Sequence, residues 1–369
     1  MSTSLWLSMT KIKGLGPKSL INLYKLDPNL SFNSLLNLNK ESLLTSLKNT
    51  NIVNSLQDKE YLKKLILESD HEIKKYKEQN IEVISITDSR YPLKLREIED
   101  PPAILYCRGN LDALNIQKKI AVIGTRKATS KGRNAAAKIA SAFVGMNYAI
   151  VSGLAEGIDS AGHRGALEAK GITIAILPGG VDQNSVYPAK NRALAEEIVA
   201  NNGLLVSEYA PGKRPFKASF VQRDRLQSGM SLGVCPVQTD IKGGTQHTIK
   251  FSKEQKRILF CPVPSEKGYE NITVYNGISK MISDNSAIVL NDKEDYVKLD
   301  NLMSTLLKEE KLIDNETESE QVDLFNQSNL AMDDYDKNSI EVAISDLCYY
   351  AKKLGLSINE VFDLIKNKW

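Results

Sequence analysis

The sequence predicts an α/β fold in which a parallel sheet carries helices on both faces, with a helical domain before it and a small helical module after it. In the middle of the chain, β-branched apolar runs alternate with helical patterns, and glycine loops follow the runs directly. Such units in series are typical of parallel strands joined by right-handed crossovers. The predicted domain boundaries are 1–80, 81–295, 296–338 and 339–369.

The first domain, residues 1–80, is predicted to be helical. A helix, the turn Gly14–Gly16 and Pro17 at the start of a new helix are typical of a helix-hairpin-helix, whose turn can donate backbone N–H groups to a DNA phosphate. An ordinary helical hairpin is an equal alternative. Leucines and isoleucines recur at helical spacing over residues 59–77 among lysines and glutamates, which predicts an amphipathic helix.

Two strand–glycine loop–helix units form the centre of the chain. The apolar run Ile120–Ile123 predicts a buried strand, and Gly124–Arg126 follows it before a helix over residues 130–146. The second unit has a strand at residues 149–151, a glycine loop at residues 152–159 and another helix. In a parallel sheet both loops fall at the carboxyl edge, where open α/β sheets bind ligands.

These loops have the composition of a phosphate site. Glycine lets the backbone approach a ligand closely, and the free N–H groups at a helix start favour an anion. Arg126 adds a permanent cation with a forked set of donors. A single glycine loop is explained equally well by a tight turn, but two loops with an arginine favour phosphate binding.

The rest of the sheet surrounds a basic segment. Residues 213–225 contain five cations and two phenylalanines against one aspartate. The pair Arg223 and Arg225 could be a solvated surface pair, but its basic and aromatic context favours phosphate contact. Further strands are predicted at residues 81–86, 100–109, 173–177, 204–209, 232–238, 258–263 and 286–290.

Length and composition indicate a globular protein of two or three domains. The 369 residues are 42% hydrophobic and 25% charged, and no apolar run reaches membrane-spanning length. The N-terminus lacks the pattern of an export signal. The four cysteines form no CxxC pair, which is typical of reduced buried thiols in a cytoplasmic protein without a zinc site. A net charge of +3 is too small to indicate nucleic acid by itself.

The last part of the chain changes in character. From about residue 309 to residue 337 the sequence is acidic and polar, which predicts a flexible linker. Residues 339–369 regain helical periodicity and predict a small helical module. A module of this size is expected to need a partner surface for stability.

Histidines and carboxylates near the glycine loops were weighed as catalytic or metal-binding groups. His163 and His247 could suggest acid–base chemistry, but no nucleophile or matching base accompanies them, so a structural role is favoured. Carboxylates at strand ends more often cap helix N–H groups than bind a metal. We therefore predict no catalytic residue, no metal and no cofactor. The four carboxylates are Glu156, Asp159, Asp182 and Glu208.

Taken in order, the motifs resemble the DNA-processing protein A (DprA/Smf) family. The resemblance covers about residues 80–265 and is specific as a set, although each motif alone is weak. The motifs are TDSRYPLKLREIEDPPAILYCRGNL, IAVIGTRKATSKG, IVSGLAEGIDSAGHRGAL, TIAILPGGVD with YPAKN, LLVSEY, FVQRDRLQSGMS and GGTQHT.

The resemblance implies an extended Rossmann-like domain, preceded by a SAM-like or helix-hairpin-helix-like helical domain. It also implies a homodimer that binds single-stranded DNA, helps to load a RecA-type recombinase during natural transformation and is not an enzyme. Cations would follow the DNA backbone while an aromatic ring stacks on a base. The residues that match the family's motifs or lie in the basic segment are Gly124, Thr125, Arg126, Ser152, Gly153, Gly157, Lys190, Lys217, Phe220, Arg223 and Arg225.

Three departures indicate a divergent member. Asp224 stands where the family usually has asparagine, residues 234–245 differ from the usual pattern, and a C-terminal winged helix is not recognisable. A role in phage defence or as the partner of a toxin is therefore an alternative to transformation. Two other hypotheses place a nucleotide at the same loops: a phosphoribohydrolase of the LOG type, disfavoured because no glutamate follows Gly243–Thr245, and a non-catalytic nucleotide sensor.

Overall fold

In a computed structural model, residues 2–308 are described. The helices are α1 (Ser2–Met9), α2 (Pro17–Leu26), α3 (Phe32–Asn37), α4 (Lys40–Leu47), α5 (Thr50–Gln57), α6 (Lys59–Lys77), α7 (Leu93–Arg96), α8 (Ser130–Val144), α9 (Ile158–Glu168), α10 (Arg192–Ala200), α11 (Lys217–Gly229), α12 (Thr245–Glu254) and α13 (Asn276–Ser283), followed by a helical run over residues 293–308. The strands are β1 (Ile81–Ser85), β2 (Ile104–Gly109), β3 (Lys119–Gly124), β4 (Ala149–Ser152), β5 (Thr173–Ile176), β6 (Leu204–Ser207), β7 (Gly233–Gln238), β8 (Ile258–Pro262) and β9 (Ile288–Leu290).

The nine strands form one sheet in the order β1-β2-β6-β5-β4-β3-β7-β8-β9. Strand β2 is antiparallel to both β1 and β6, and the remaining described pairs are parallel. The chain moves outward from β3 through β4 and β5 to β6, and then returns to place β7 on the other side of β3. This reversal is the switch point at which doubly wound sheets form a crevice.

Two groups of helices cover the sheet. Helix α9 contacts α8 and α10, whereas α11 contacts α7 and α12. Because right-handed crossovers change face when the direction of strand addition reverses, the two groups lie on opposite faces. The predicted α/β fold with a mostly parallel sheet is therefore confirmed.

Local signals explain several element boundaries. Pro17 opens α2 directly after Gly16, as the N-terminal motif predicts. The Asp58 side chain accepts the Tyr61 backbone N–H at 3.0 Å and starts α6, whose last turn is rich in lysine. The amphipathic helix predicted from its periodicity has the same bounds as α6.

The N-terminal helices and the sheet share one hydrophobic core. Trp6 of α1 is fully buried, α1 contacts β1, and both elements belong to the same buried cluster. Residues 1–303 form one compact unit, so the expected boundary near residue 80 is a change of secondary structure inside that unit.

The helical run continues to residue 308, so the first residues of the linker predicted at 296–338 are helical. Residues 296–308 precede the acidic stretch and carry apolar side chains, of which Leu299 and Met303 are buried, as a helix with one covered face requires. The rest of that linker and the module predicted at 339–369 lie outside the described residues.

Candidate nucleic-acid interface

A groove of about 470 Å³ lies at the carboxyl edge of the sheet, at the switch point between β3 and β7. Its walls come from the loops after these two strands, from α11 and from the start of α12. The register of the β3–β7 pair shifts between Ile123 and Gly124, and the Thr125 N–H donates to the Gln238 carbonyl at 2.8 Å. The first glycine loop is thereby fixed to the end of β7.

The predicted glycines let the loops pack on each other. Gly157 has φ of 81°, and a Cβ there would lie 2.3 Å from the Thr125 carbonyl oxygen. A Cβ on Gly153 would lie 1.5 Å from an Arg223 guanidinium nitrogen, and one on Gly124 would lie 2.5 Å from Ile158. The glycines therefore bring the two loops and α11 together, as close approach requires.

Arg126 and Phe220 form an exposed cationic–aromatic pair at the groove. The guanidinium carbon of Arg126 lies 5.1 Å from the centre of the Phe220 ring, and the Arg126 side chain is exposed. Tyr187 meets the same ring edge-on, with centroids 5.6 Å apart. A cation on a ring face leaves guanidinium donors for an anion and aromatic surface for a flat ligand.

Beneath this pair lies a buried charge network centred on Arg223, which is 5% exposed. Its guanidinium lies 3.9 Å from the Asp159 carboxylate and 3.6 Å from that of Asp224. With its amide oriented to satisfy both neighbours, Gln227 accepts from Arg223 and from the Gly153 N–H, the latter at 2.8 Å. The Nε of Arg223 is buried without a hydrogen-bond partner, and the charge that it faces is the Asp224 carboxylate 3.6 Å away.

The two carboxyl groups of this network are perturbed by burial. Burial raises the pKa of Asp159, against the opposing effects of Arg223 and backbone N–H groups. Burial also raises the pKa of Asp224 to about 6, with Arg223 acting in the opposite direction and the Asp159 charge adding to the rise. Asp224 is therefore an acid that can change its charge close to neutral pH, directly beside Arg223.

Two predicted lysines are exposed near the groove without lining it. Lys190 pairs with Glu156, and the side chains are 62% and 40% exposed. Lys217 is exposed in the first turn of α11. Since exposed ion pairs contribute little to stability, Lys190 can exchange Glu156 for a phosphate at small cost.

The structure does not bring Arg225 to the groove. Its guanidinium donates to Glu208 and to Asp100, each at 2.8 Å, and its side chain is 7% exposed. Residues 217–229 form a helix rather than a loop. Positions two apart on a helix point in nearly opposite directions, so only one of Arg223 and Arg225 can face the groove.

Ser152 also differs from the expectation. Its side chain is fully buried, and its hydroxyl donates to the Val122 carbonyl at 2.6 Å. This hydrogen bond ties β4 to β3. Ser152 therefore holds the glycine loop in place rather than presenting a hydroxyl to a ligand.

The histidines occupy different environments. His163 is fully buried, its Nδ1 lies 2.7 Å from the Thr173 hydroxyl, and burial lowers its pKa to about 3. The contact is made to the start of β5, and the neutral ring lies in the protein interior. His247 is exposed and lines the groove. The structure thus separates the two histidines.

The carboxylates weighed as metal ligands are engaged elsewhere. Asp182 accepts the Gly212 N–H at 2.7 Å, whereas Glu156 and Glu208 pair with Lys190 and Arg225. Across residues 2–308, no group of three or more His, Cys, Asp or Glu side chains could hold a metal ion. No helix in the same range has the length and apolarity needed to cross a membrane.

Sequence reasoning missed Tyr187 and Gln227. Tyr187 belongs to the YPAKN segment, and its position beside a proline was the one available signal. Gln227 carries no signal in the sequence, because its role depends on the orientation of α11 against the Gly153 loop.

The fold and the groove define a doubly wound, Rossmann-like protein with a cationic ligand site at its switch point. The family model described as DNA recombination-mediator protein A matches residues 82–300. The chain is 34% identical over 250 residues to the DNA processing protein DprA of Bacillus subtilis (strain 168), which covers 67% of this chain and 80% of the relative. It therefore belongs to the DNA recombination-mediator protein A (DprA/Smf) family.

Further comparisons agree. The chain is 37% identical over 183 residues to DprA of Streptococcus pneumoniae (strain ATCC BAA-255 / R6), covering 50% of this chain and 63% of that relative. The X-ray structure of Streptococcus pneumoniae DprA matches with a TM-score of 0.64 at 26% identity, over 81% of this chain and 97% of that one. A Helicobacter pylori DprA structure, solved to study its mode of binding single-stranded DNA, matches with a TM-score of 0.51 at 27% identity. The match covers 62% of this chain and 96% of that one.

Proposed function

We propose that this protein binds single-stranded DNA at the groove between β3 and β7 and acts in DNA processing during recombination. The observation that carries the proposal is the Arg126–Phe220 pair, in which an exposed guanidinium lies 5.1 Å from an aromatic ring at the mouth of the groove. Base stacking on an aromatic ring beside a backbone-binding cation suits single strands without strong sequence preference. The Helicobacter pylori relative, studied for its binding of single-stranded DNA, supports the same ligand.

In this proposal the strand's phosphates contact Arg126, with Lys190 and Lys217 available nearby. Arg223 contributes positive potential from beneath the groove, while its side chain stays buried beside Asp159 and Asp224. The glycine loops set the shape of the site, because Gly153 and Gly157 leave no room for a side chain. In this proposal the protein acts by binding rather than by catalysis, and the buried His163 takes no part in it.

The proposed partners are a second copy of this chain and a RecA-type recombinase, in the cytoplasm. Exposed apolar side chains at one end of the sheet support self-association: Ile288 on edge strand β9 is 43% exposed and Val263 beyond β8 is 40% exposed. The free, buried cysteines of the described residues suit a reducing compartment. Recombinase loading can be distinguished from a defence role by measuring whether a RecA-type recombinase assembles faster on single strands that are coated with this protein.

The proposal is tested by fluorescence anisotropy of a labelled oligothymidine at low and moderate salt. We expect tight binding that weakens with salt, and a loss of roughly tenfold or more in Arg126→Ala, because a charge-assisted phosphate contact disappears. Arg164→Ala is the matched control, since Arg164 is an exposed arginine of α9 that pairs with Glu197. Wild-type protein that binds a nucleoside phosphate but no DNA would favour the nucleotide sensor instead.

A further inference from the structure

A second aromatic pair lies on the same helix as Phe220. The rings of Tyr209 and Phe216 meet edge-on, with centroids 5.6 Å apart. Phe216 is the residue that caps the N-terminus of α11, and its side chain is 43% exposed. Phe216 stands at the N-cap of α11 and Phe220 is the fourth residue of that helix, so about one helical turn separates them at the start of the helix that lines the groove.

The second pair is held in a fixed arrangement. The Phe216 N–H donates to the Ser219 hydroxyl at 3.0 Å, and the Tyr209 hydroxyl donates to Gln222 one turn further along α11. Both rings therefore have partners that restrict their positions before any ligand arrives. Restricting a binding side chain in advance lowers the entropy that is lost on binding.

The loop before α11 is fixed as well. The Gly180 N–H donates to the Lys213 carbonyl at 2.9 Å, and the Gly212 N–H donates to the Asp182 carboxylate at 2.7 Å. The loop after β5, which contains Gly179, Gly180 and Asp182, thus anchors the segment that carries Tyr209 and Phe216. A mobile surface loop would lack these contacts.

The surroundings of the second pair are cationic. The Lys213 ammonium lies 5.8 Å from the centre of the Phe216 ring, and Arg214 and Lys217 flank it as exposed cations. The segment from Tyr209 to Arg223 contains no acidic residue. Exposed aromatic surface interleaved with cations is the composition of a surface that binds a single strand.

We propose that Tyr209 and Phe216 form a second stacking site, which takes another base of the single strand whose first base stacks on Phe220. The proposal rests on the proposed function and extends it from one base to a track along α11. Lys213 and Lys217 neutralise the phosphates between the two stacked bases. A strand long enough to reach both sites then binds more tightly than one that reaches Phe220 alone, because the second contact is intramolecular.

The test compares a short oligothymidine that reaches one site with a longer one that reaches both. Phe216→Leu keeps apolar contact with Tyr209 but removes the flat ring. We expect it to weaken binding of the long oligonucleotide roughly tenfold, the effect of one lost base stack, and to leave the short one unchanged. Phe216→Trp should restore binding, and Tyr61→Ala, which changes an exposed tyrosine of α6, should have no effect.

A second readout uses wild-type protein alone. A fluorescent adenine analogue placed along the long oligonucleotide should be quenched at two separate positions when both bases are stacked. Quenching at one position, or an unchanged long-strand affinity in Phe216→Leu, would overturn the second site while leaving DNA binding at Phe220 intact. Absence of any wild-type DNA binding would instead overturn the proposed function. Binding of a protein at Phe216 without a DNA effect would identify a protein contact surface.

Discussion

The guanidinium carbon of Arg126 lies 5.1 Å from the centre of the Phe220 ring, although 94 positions separate the two residues in the chain. The first residue follows β3, and the second lies in the helix that precedes β7. Neither side chain is positioned by its own element alone, because the β3–β7 pairing brings the two segments together. The contact between the two side chains therefore exists only when β3 and β7 are paired in the folded sheet.

Phe220 and Arg126 should contribute to DNA affinity in different ways. Phe220→Leu removes a stacking surface, so we expect a roughly tenfold weaker affinity at every salt concentration and an unchanged salt slope. Arg126→Ala removes a phosphate contact, which should reduce the slope of log K against log salt by about 0.7. Salt titrations by fluorescence anisotropy measure both quantities. Equal slopes in the two variants would show that Arg126 does not contact a phosphate.

DNA binding should depend on pH through Asp224. Because the pKa of Asp224 is raised to about 6, the carboxyl group is neutral below that pH and negative above it. Ionisation places a negative charge next to the phosphate path, so affinity should fall as pH rises, by roughly fivefold between about pH 5 and 8 for a repulsion of about 1 kcal/mol.

Asp224→Asn provides the control for this prediction. The amide has nearly the same shape but no charge, so the variant should bind tightly across the range and lose the Asp224 contribution to the pH profile. Any pH dependence left in Asp224→Asn belongs to groups other than Asp224. An identical profile in both proteins would show that Asp224 lies away from the DNA.

A methyl group at Gly153 should disrupt the groove without changing its charge. The added Cβ would overlap an Arg223 guanidinium nitrogen at 1.5 Å, which forces Arg223 away from Asp159 and Gln227. We expect Gly153→Ala to lose roughly tenfold in DNA affinity or to lower the melting temperature by several degrees. Gly244→Ala is the matched control, since Gly244 lines the groove but has open space at its Cβ. Similar losses in both variants would argue against this steric explanation.

Arg225 should matter for stability rather than for DNA. Arg225→Ala leaves Glu208, whose side chain is 15% exposed, without its cation, so the free energy of unfolding should fall by roughly 3 kcal/mol. Urea denaturation measures this change. In contrast, exposed Arg126→Ala should change the free energy of unfolding by less than about 0.5 kcal/mol. A stable Arg225→Ala with weakened DNA affinity would restore Arg225 to the binding site.

The sequence was sufficient for the strands and helices of the two central units, their glycine loops and α6, because each depends on local periodicity or on a local backbone requirement. The different positions of the Arg223 and Arg225 side chains could not be predicted from the sequence. As members of the basic segment 213–225, both arginines were expected to contact phosphate, whereas α11 turns one toward Asp159 and the other toward Glu208. Burial on one face of a helix becomes visible only when the neighbouring elements are in place.

The sequence also could not predict that the N-terminal helices and the sheet share one hydrophobic core. Periodicity shows that α1 has apolar residues to bury, but it does not show which surface covers them. The contact of α1 with β1 decides this question. Tyr187 and Phe216 were overlooked for a related reason, because their ring partners Phe220 and Tyr209 are distant in the chain or separated by a turn.

The groove takes its walls from segments that extend from Ile123 to Thr248. A chain that emerges from the ribosome N-terminus first contains Arg126 long before Phe220, β7 and the start of α12 exist. The Arg126 side chain is then present, but nothing yet holds it against the Phe220 ring. The proposed DNA site is thus assembled late in synthesis, so a nascent chain reaches that stage without an assembled site for nucleic acid.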